Sequence, residues 1–221
     1  SASQLDNMAW DHQQYQFTHV LELQDSTITT DVYRNEFDRD WFRLSGFNTD
    51  DVSLVNTLAN HKQTTYQPYY DVLTGAVASS GTSQQLRIGN NGRQFYSQGI
   101  QTRLNQDLTL FGFEHALEVG VRIHQDQVKS HHTEQNYNTL AGGQLQAVSS
   151  SFKTTARNTN DALALAVYIQ DEIHIDDTVL SLGLRHESIE ASKTIYGNLT
   201  GIKERKNTFT YRRRIEDLRW N

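Results

Sequence analysis

Apolar and polar residues alternate with a period of two along much of this chain, which is the pattern of half-buried β-strands. In "LEVGVRIH" (117–124), the residues at 117, 119, 121 and 123 are apolar, and those between them are polar or small. The segments 163–170 and 180–187 repeat this pattern. Three further segments alternate less regularly: 14–23, 27–36 and 94–104. Residues three and four positions apart do not keep one character, so helices are not favoured. The sequence therefore predicts six antiparallel strands.

The connections between these strands are alternately short and long. Gln24-Asp25-Ser26, 105–114 and Asp176-Asp177 are short or modest, whereas 37–93 and 129–161 are long. Structureless loops beyond about 15 residues are uncommon in compact soluble domains. Short periplasmic turns alternating with long extracellular loops are typical of outer-membrane β-barrels. This pattern predicts that the first, third and fifth strands run toward the periplasm and the other three run outward.

The composition fits the wall of a β-barrel with a polar lumen better than it fits a globular domain with a large hydrophobic core. Hydrophobic residues make up 36% of the 221 residues, below the roughly 45–50% of ordinary globular domains. The mean hydropathy is -0.66. No run of about 18 apolar residues occurs, so no transmembrane helix is expected. A membrane β-barrel needs apolar residues on one face only, because its lumen can be polar.

Charge, cysteine content and the first residues exclude several other classes. The net charge is -6 and the pI is near 5.8, which argues against a nucleic-acid partner. The absence of cysteine excludes disulfides and thiolate metal sites. Residues 1–10 lack the basic head and apolar body of a secretory signal. The chain is accordingly expected to be mature, truncated or cytoplasmic.

Strand number indicates a piece of a larger barrel. Six strands, or seven if 207–220 is another, fall short of the eight or so that close a membrane barrel. An open edge in lipid leaves unpaired backbone groups at several kcal/mol each. We therefore predict an all-β fold, an antiparallel section of a transmembrane β-barrel that does not form a stable barrel alone.

Four sequence motifs resemble the barrel of TonB-dependent outer-membrane receptors, in particular the ferric-citrate and siderophore branch. They are "TTDVYRNEFDRDWFRLSGF" (29–47), "NNGRQFYSQGIQTRL" (90–104), "HALEVGVRIHQDQV" (115–128) and "ALAVYIQDEIHIDDTVLSLGLRHESI" (164–189). Their order and spacing resemble the family as well. Residues 203–221 are not matched by this resemblance, so only the preceding part of 1–221 is assigned to a partial receptor barrel.

The resemblance implies an architecture and a function. The family has a 22-stranded barrel filled by an N-terminal plug domain, and this chain would supply six or seven of those strands without the plug. The implied location is the outer membrane of a Gram-negative bacterium, in contact with its lipid. The implied ligand is a ferric siderophore or ferric citrate, and the implied partner is the TonB complex, reached through an N-terminal segment. No resident cofactor is expected.

The two faces of the strands suggest what lines the lumen. If the alternating Leu, Val and Ile residues face lipid, four charged side chains fall on the opposite face: Glu118, Arg122, Arg185 and Glu187. There they could pair with one another or seat the plug, although generic barrel lining explains them too. Seven aromatic residues are candidates for girdles at the membrane interfaces, with strand packing as the alternative: Tyr15, Tyr33, Phe37, Trp41, Phe42, Tyr96 and Tyr168.

Ligand contacts are expected in the two long loops. A ferric chelate is usually anionic, and arginine, histidine and aromatic side chains suit its charged or flat surface. The candidates in 37–93 are Arg39, Arg43, Arg87 and Arg93, and those in 129–161 are His131, His132 and Tyr137. Each could instead be an ordinary solvated loop residue.

Catalysis and metal binding find no support in the sequence. No G-x-S-x-G elbow, H-E-x-x-H helix or phosphate-binding glycine loop occurs. The adjacent His131 and His132 point apart on an extended chain, so they cannot grip one metal. Two other functions stay open: a surface barrel that binds a protein or glycan without transport, and a soluble β-sandwich. The sandwich would place Val119, Leu165 and Leu182 in a closed core.

Overall fold

The computed structural model describes residues 2–197 in full and the backbone of residues 205–220. Its strands are β1 (Asn7–Glu22), β2 (Ser26–Phe47), β3 (Leu86–Leu110), β4 (Phe113–Thr139), β5 (Leu145–Ala147), β6 (Lys153–Ile175), β7 (Thr178–Ile195) and β8 (Arg205–Trp220). Between β2 and β3 lie α1 (Leu54–Ala59), α2 (Gln67–Thr74) and a 3-10 turn (Thr82–Gln84). No helix among the described residues is long and apolar enough to cross a membrane.

All described strands belong to one antiparallel sheet. Its order is β1-β2-β3-β4-β6-β7-β8, and the short β5 pairs only with β4. Sequential neighbours therefore lie side by side, as in an up-and-down barrel wall. In the described part of the chain the sheet is open, with β1 and β8 at its two edges. Val119, Leu165 and Leu182 are exposed on this sheet, whereas a sandwich would bury them in a closed core, so the β-sandwich interpretation is wrong.

The six predicted strands are confirmed as β1 to β4, β6 and β7, and the possible strand at 207–220 is β8. Their predicted lengths are wrong. The loops expected at 37–93 and 129–161 shrink to 48–85 and 140–152, since β2, β3, β4 and β6 continue far into them. The physical reason is that these extensions lack regular hydrophobic alternation: those of β4 and β6 are polar on both faces, and that of β2 carries aromatic residues on both faces. Backbone pairing continues there without the hydrophobic alternation by which a strand is detected.

The turns at the opposite end are tight. Phe111 and Gly112 both have positive φ, 54° and 85°, as the twist of a two-residue hairpin requires. The modest connection predicted at 105–114 is thus mostly strand. Asp176 adopts φ 50° in the turn from β6 to β7, a conformation that aspartate tolerates. We call the ends of the strands away from these turns the upper ends.

Alternation gives the sheet two different faces. Val119, Leu165 and Leu182 lie on one face and are 37%, 46% and 36% exposed, so they are not in a core. We call this the outer face and the opposite one the inner face. The apolar belt comprises the outer-face residues Ile28, Val32, Ile100, Leu104, Val119, Val121, Ile123, Leu163, Leu165, Val167, Ile169, Leu182 and Leu184. The predicted apolar flank is therefore confirmed as a continuous surface across five strands.

A small hydrophobic core forms at the upper end, where 48–85 folds against the outer face. Phe47, Leu86 and Ile88 are completely buried, and Val52 and Tyr137 nearly so. In the pairing register, Leu86 and Ile88 share the face of Ile100 in the same unbroken strand. This core fixes the segment 48–85 to the wall.

Candidate functional site

Four basic side chains of the inner face lie together at the upper ends of β2, β3 and β4. Arg39 is directly opposite Arg93, and Arg93 is opposite Ser130. His132 follows Ser130 by two positions and therefore points to the same face. Arg43 lies four positions beyond Arg39 on the same side of β2. We call Arg39, Arg43, Arg93 and His132 the basic cluster.

Among the described residues, the members of the basic cluster form no salt bridge with a neighbouring carboxylate, although Glu134 on the same face is near enough to affect His132. Within residues 2–197, none of its members lies within 4.0 Å of an Asp or Glu oxygen. Arg39 Nε and His132 Nε2 are buried and have no hydrogen-bond partner in that part of the chain. Only Arg93 Nε donates locally, to Asn91 Oδ1 at 3.1 Å. Buried donors of this kind favour an acceptor supplied from outside the wall.

The electrostatics of His132 reflect the same crowding. Burial lowers the pKa of this imidazole, and the positive charges of Arg93 and Arg39 lower it further, against a smaller opposing effect of Glu134. His132 lies nine positions beyond Ile123, the last belt residue of β4, so it lies outside the membrane-spanning part. An anion bound between the arginines would reverse this shift.

Aromatic rings accompany the basic cluster. The guanidinium groups of Arg43 and Arg39 lie over the Trp41 ring, 4.3 and 5.6 Å from its centroid. Below them on the same face, the Phe37 and Phe95 rings are 5.8 Å apart, and Trp10 is 6.5 Å from Phe37. Such a surface combines charge-assisted donors with flat apolar faces, which suits a planar anionic ligand.

Nearer the middle of the wall, the inner face carries a connected polar network. The Tyr33 hydroxyl donates to His124 Nδ1 at 2.5 Å, and His124 Nε2 donates to Asp126 Oδ2 at 2.9 Å. This pair of contacts assigns the proton of the neutral imidazole to Nε2. Arg122 Nη2 donates to the Tyr33 oxygen at 2.9 Å. Tyr33 is therefore held from two sides.

Two glycines let tyrosines lie flat on the inner face. Tyr33 crosses over Gly99, where an added Cβ would be 2.5 Å from the Tyr33 hydroxyl oxygen. Tyr168 covers Gly120 in the same way, and its hydroxyl donates to Glu118 Oε1 at 2.5 Å. An aromatic ring over a strand glycine restores the packing that glycine lacks.

A comparison with known protein families shows to which kind of barrel this sheet belongs. A family model described as "TonB dependent receptor-like, beta-barrel" matches residues 2–214. The chain belongs to this TonB-dependent receptor family. That match covers part of the segment 203–221, which the sequence motifs left unassigned. Among curated proteins, none matches the sequence.

Three solved structures of iron-chelate receptors and transporters share the fold with this chain. The ferric citrate transporter FecA in its unliganded form is 15% identical, with a TM-score of 0.62 over 94% of this chain and 24% of its own. The siderophore receptor PiuA from Acinetobacter baumannii is 16% identical, with a TM-score of 0.57 over 94% and 29%. The ferric-catecholate import receptor Fiu from E. coli K12 is 12% identical, with a TM-score of 0.53 over 96% and 32%. This chain thus spans about a quarter to a third of their length.

The ligand candidates predicted in loops prove to lie on strands. Arg39 and Arg43 are in β2, Arg87 and Arg93 in β3, and His131, His132 and Tyr137 in β4. The loop assignment was wrong because these strands extend beyond the apolar belt. The structure brings Arg39, Arg43, Arg93 and His132 together.

The other three candidates lie elsewhere. Arg87 belongs to the inner face, but its guanidinium is 3.6 Å from the Asp50 carboxylate of the segment 48–85. His131 points to the outer face, opposite to His132, as expected for neighbours in a strand. Tyr137 is only 8% exposed in the upper hydrophobic core. In residues 2–197, no group of three or more His, Asp or Glu side chains is placed to hold a metal.

The strand register assigns each predicted lumen residue and each predicted girdle residue to one face of the sheet. Glu118, Arg122, Arg185 and Glu187 lie on the inner face, where Arg185 Nη2 is 3.3 Å from Glu187 Oε1. Of the girdle candidates, Tyr15 and Tyr96 point outward, and Phe42 packs against Phe152 at 5.7 Å. The girdle interpretation is wrong for the remaining four, because their register places them on the inner face: Tyr33, Phe37, Trp41 and Tyr168.

Sequence reasoning missed Trp10, Phe95 and the partners of His124 as inner-face residues. A usable signal existed. Ile28 and Val32 show that the even-numbered residues of β2 lie on the outer face, so every odd-numbered residue from Thr29 to Arg43 faces inward. Continuing this alternation beyond the last apolar residue of the strand would have placed the β2 arginines of the basic cluster on the inner face.

Proposed function

We propose that this chain is part of an outer-membrane receptor that captures an anionic iron chelate and imports it into the periplasm of a Gram-negative bacterium by TonB-dependent transport. The apolar belt faces lipid, and the inner face borders the lumen. The short turns then lie on the periplasmic side and the upper ends outside the cell. A chelate entering from outside meets the basic cluster first.

The observation that carries this proposal is the basic cluster itself. Its arginines and histidine have no carboxylate partner in residues 2–197, although the chain as a whole carries a net charge of -6. Trp41, Phe37 and Phe95 supply flat faces beside the charges. Arginine binds carboxylate and phenolate oxygens through directed, charge-assisted hydrogen bonds. These features favour a compact anionic chelate over a neutral ligand.

The similar structures are consistent with this ligand class. Their names describe FecA as a ferric citrate transporter and Fiu as a ferric-catecholate import receptor. Citrate and catecholate both surround iron with anionic oxygens. We infer a ferric siderophore or ferric-citrate-like ligand for this chain from that shared chemistry and from the basic cluster.

The same proposal assigns a partner to the lower inner face. Glu118, Arg122, Arg185 and Glu187 would contact the receptor's plug domain, and the TonB complex would act on an N-terminal segment of the receptor. The Arg185–Glu187 pair and the Tyr33–His124–Asp126 network present both signs of charge to such a plug. Polar contacts of this kind can be exchanged for water when the plug moves.

Chelate binding by the full-length receptor tests the proposal. Arg39→Gln/Arg93→Gln should weaken the binding of ferric citrate or a ferric catecholate at least about tenfold, since two charge-assisted contacts are lost. The matched control is Arg34→Gln/Lys62→Gln, because Arg34 lies on the outer face beside Glu36 and Lys62 is an exposed residue of the segment 48–85. Radioactive iron uptake should fall in parallel. Equal binding by both double variants, or no binding of any anionic chelate, would contradict the proposal.

A further inference from the structure

A pair of ionisable side chains interrupts the apolar surface of the outer face between the apolar belt and the short turns. His115 Nδ1 lies 2.8 Å from Asp171 Oδ2. His115 is four positions before Val119 on β4, and Asp171 is two positions after Ile169 on β6, so both side chains point to the outer face. Ionisable residues on a surface that meets hydrocarbon are costly, and such residues mark functional positions.

Apolar side chains surround this pair. The four residues paired directly with His115 and Asp171 on the same face are all aliphatic: Leu108, Leu117, Ile173 and Leu182. Nearer the turn between β3 and β4, Leu110 and Phe113 are 47% and 42% exposed, so the outer face is apolar again below the pair. The pair therefore lies within the lipid-facing surface.

The pair has acceptor atoms to which no donor of the wall is bound. The imidazole donates from Nδ1 to the Asp171 carboxylate, so Nε2 of the neutral ring is an acceptor. Asp171 Oδ1 has no hydrogen-bond partner within residues 2–197. The Asp171 side chain is 27% exposed, and the torsion that turns a carboxylate is soft, so this group can accept a hydrogen bond from the lipid side. With a neutral imidazole, the pair also keeps the negative charge of the carboxylate.

The height of the pair corresponds to the leaflet on the side of the short turns. His115 is eight positions before Ile123, the last belt residue of β4. Eight residues of strand span roughly 27 Å, or roughly 19 Å along the membrane normal at a tilt of about 45°. The apolar band of an outer-membrane barrel is about 25 Å tall, so the pair lies roughly 6 Å inside its lower margin. Local thinning of the bilayer brings lipid headgroups across such a distance.

The charges of the nearby turns favour a cationic group at this position. Asp25, Asp176 and Asp177 lie in the turns 23–25 and 176–177, and these turns and the turn 111–112 contain no Lys or Arg. Their carboxylates repel an anionic headgroup. An ammonium group supplies both the compensating charge and three N–H donors for the free acceptors of the pair.

We propose that Asp171, held by His115, binds the primary ammonium headgroup of a zwitterionic phospholipid in the periplasmic leaflet. The ammonium group donates to the Asp171 carboxylate and to His115 Nε2, and the acyl chains pack against Leu117 and Leu182. This inference rests on the outer-membrane location proposed above, and it uses no residue of the basic cluster. The apolar belt contacts any acyl chain, whereas this pair selects a headgroup.

The experiment uses the full-length receptor in nanodiscs of phosphatidylcholine, with phosphatidylethanolamine as the probe. The two headgroups carry the same charges, but only phosphatidylethanolamine has N–H donors. Native mass spectrometry should show that the receptor retains the probe with an apparent affinity at least about tenfold above that for phosphatidylcholine. The probe should also raise the temperature of thermal unfolding, since a ligand of the native state stabilises it.

Two single variants test the carboxylate. Asp171→Asn removes the charge and should abolish the preference for phosphatidylethanolamine. Asp161→Asn is the matched control, because Asp161 lies ten positions away on the same face of β6 and accepts a hydrogen bond from Gln127 Nε2 at 2.6 Å. This variant should keep the full preference. His115→Leu/Asp171→Leu replaces the pair by apolar residues, a change that is often neutral or stabilising, and it should also lose the preference.

Four results would overturn the inference. They are equal retention of the two lipids by the unaltered receptor, an unchanged preference in the Asp171 variants, an equal loss in Asp161→Asn, and retention of phosphatidylglycerol as strong as that of the probe. The first comparison needs no variant, so a folding defect cannot hide the answer. Chelate binding is measured on the same samples. Loss of the lipid preference with intact chelate binding contradicts the headgroup site alone, and the reverse result contradicts only the proposed ligand of the receptor.

Discussion

The Tyr33 hydroxyl lies 2.5 Å from His124 Nδ1, although two strand spacings separate β2 from β4. Gly99 of β3 lies between them and is paired with both residues. The tyrosine spans the gap only because Gly99 has no side chain. A lateral tie thus joins three strands on the inner face, in addition to their backbone hydrogen bonds.

Because the Tyr33–His124 hydrogen bond crosses Gly99, the stability of the sheet should be sensitive to a side chain at that position. In Gly99→Ala the new Cβ would be 2.5 Å from the Tyr33 oxygen and 2.6 Å from the Ile123 carbonyl oxygen. We expect a loss of about 1–3 kcal/mol in the free energy of unfolding, measured on the full receptor by urea titration in lipid vesicles. Gly183→Ala is the matched control, because the nearest atom to its Cβ is 3.7 Å away. Equal stability of the two variants would show that the tie is dispensable.

The basic cluster predicts that ligand binding depends on pH through His132. Burial and then Arg93 and Arg39 hold the pKa of free His132 below its usual value of 6.5, and a bound anion raises it. Between the lower free pKa and the higher bound pKa, binding takes up a proton, so affinity rises as pH falls. Calorimetry in buffers of different ionisation enthalpy measures this uptake. His132→Gln should abolish it while leaving residual binding through the arginines.

The same lowered pKa predicts an effect on stability with a definite sign. The unfolded chain protonates His132 near pH 6.5, whereas the folded chain resists protonation. Stability is therefore complete above that pH and declines as pH falls toward the folded pKa. Local hydrogen exchange at the upper end of β4 should increase over this window. In His132→Gln the increase should be smaller, and an unchanged profile would remove His132 as its cause.

The upper hydrophobic core predicts how the segment 48–85 is held. Phe47 is fully buried, and its ring centroid is 5.0 Å from that of Tyr69. Phe47→Ala should weaken this packing by about 3–5 kcal/mol. The loss should appear as faster proteolysis within 48–85, with the wall below unchanged. Val55→Ala provides the control, because Val55 is 75% exposed on α1, and it should be cleaved like the unaltered protein.

The apolar belt predicts a depth-dependent cost for charge. Val167 is 43% exposed among the central belt residues of β6, and Val167→Arg should cost about 2–4 kcal/mol in a bilayer. Gln125→Arg, at the upper margin of the belt, should cost no more than about 1 kcal/mol. Unfolding of both receptors from lipid vesicles measures the difference. Similar costs at the two positions would argue that the outer face does not meet hydrocarbon.

Hydrophobic alternation identified the fold because lipid imposes it on one face. Val119, Leu165 and Leu182 revealed their strands, and the order of short and long connections revealed the topology. The same signal vanished above Ile123, where both faces of β4 are largely polar. For that reason Arg93 and His132 were placed in loops, although they lie on strands. Those strands continue through backbone hydrogen bonds, which any side chain permits, so the sequence pattern does not reveal where the strands end.

Contacts between distant parts of the chain were beyond sequence reasoning for a different reason. Nothing local marks Tyr33 as a partner of His124, 91 positions away. Their meeting depends on register, which is set jointly by three strands and their turns. Likewise, His131 and His132 point to opposite faces because they are neighbours in a strand. Which of the two is on the inner face depends on the register of β4 with its neighbours.

The length of the central strands has a consequence for how the two halves of the wall respond to their surroundings. β3 and β4 contain 25 and 27 residues, about 90 Å of strand, or roughly 60 Å of height at a 45° tilt. Hydrocarbon covers roughly 30 Å of that. Outside the area that the segment 48–85 covers, the projecting rim is thus exposed to buffer on both faces, so salt and pH act on its charges directly, whereas hydrocarbon insulates the lower half.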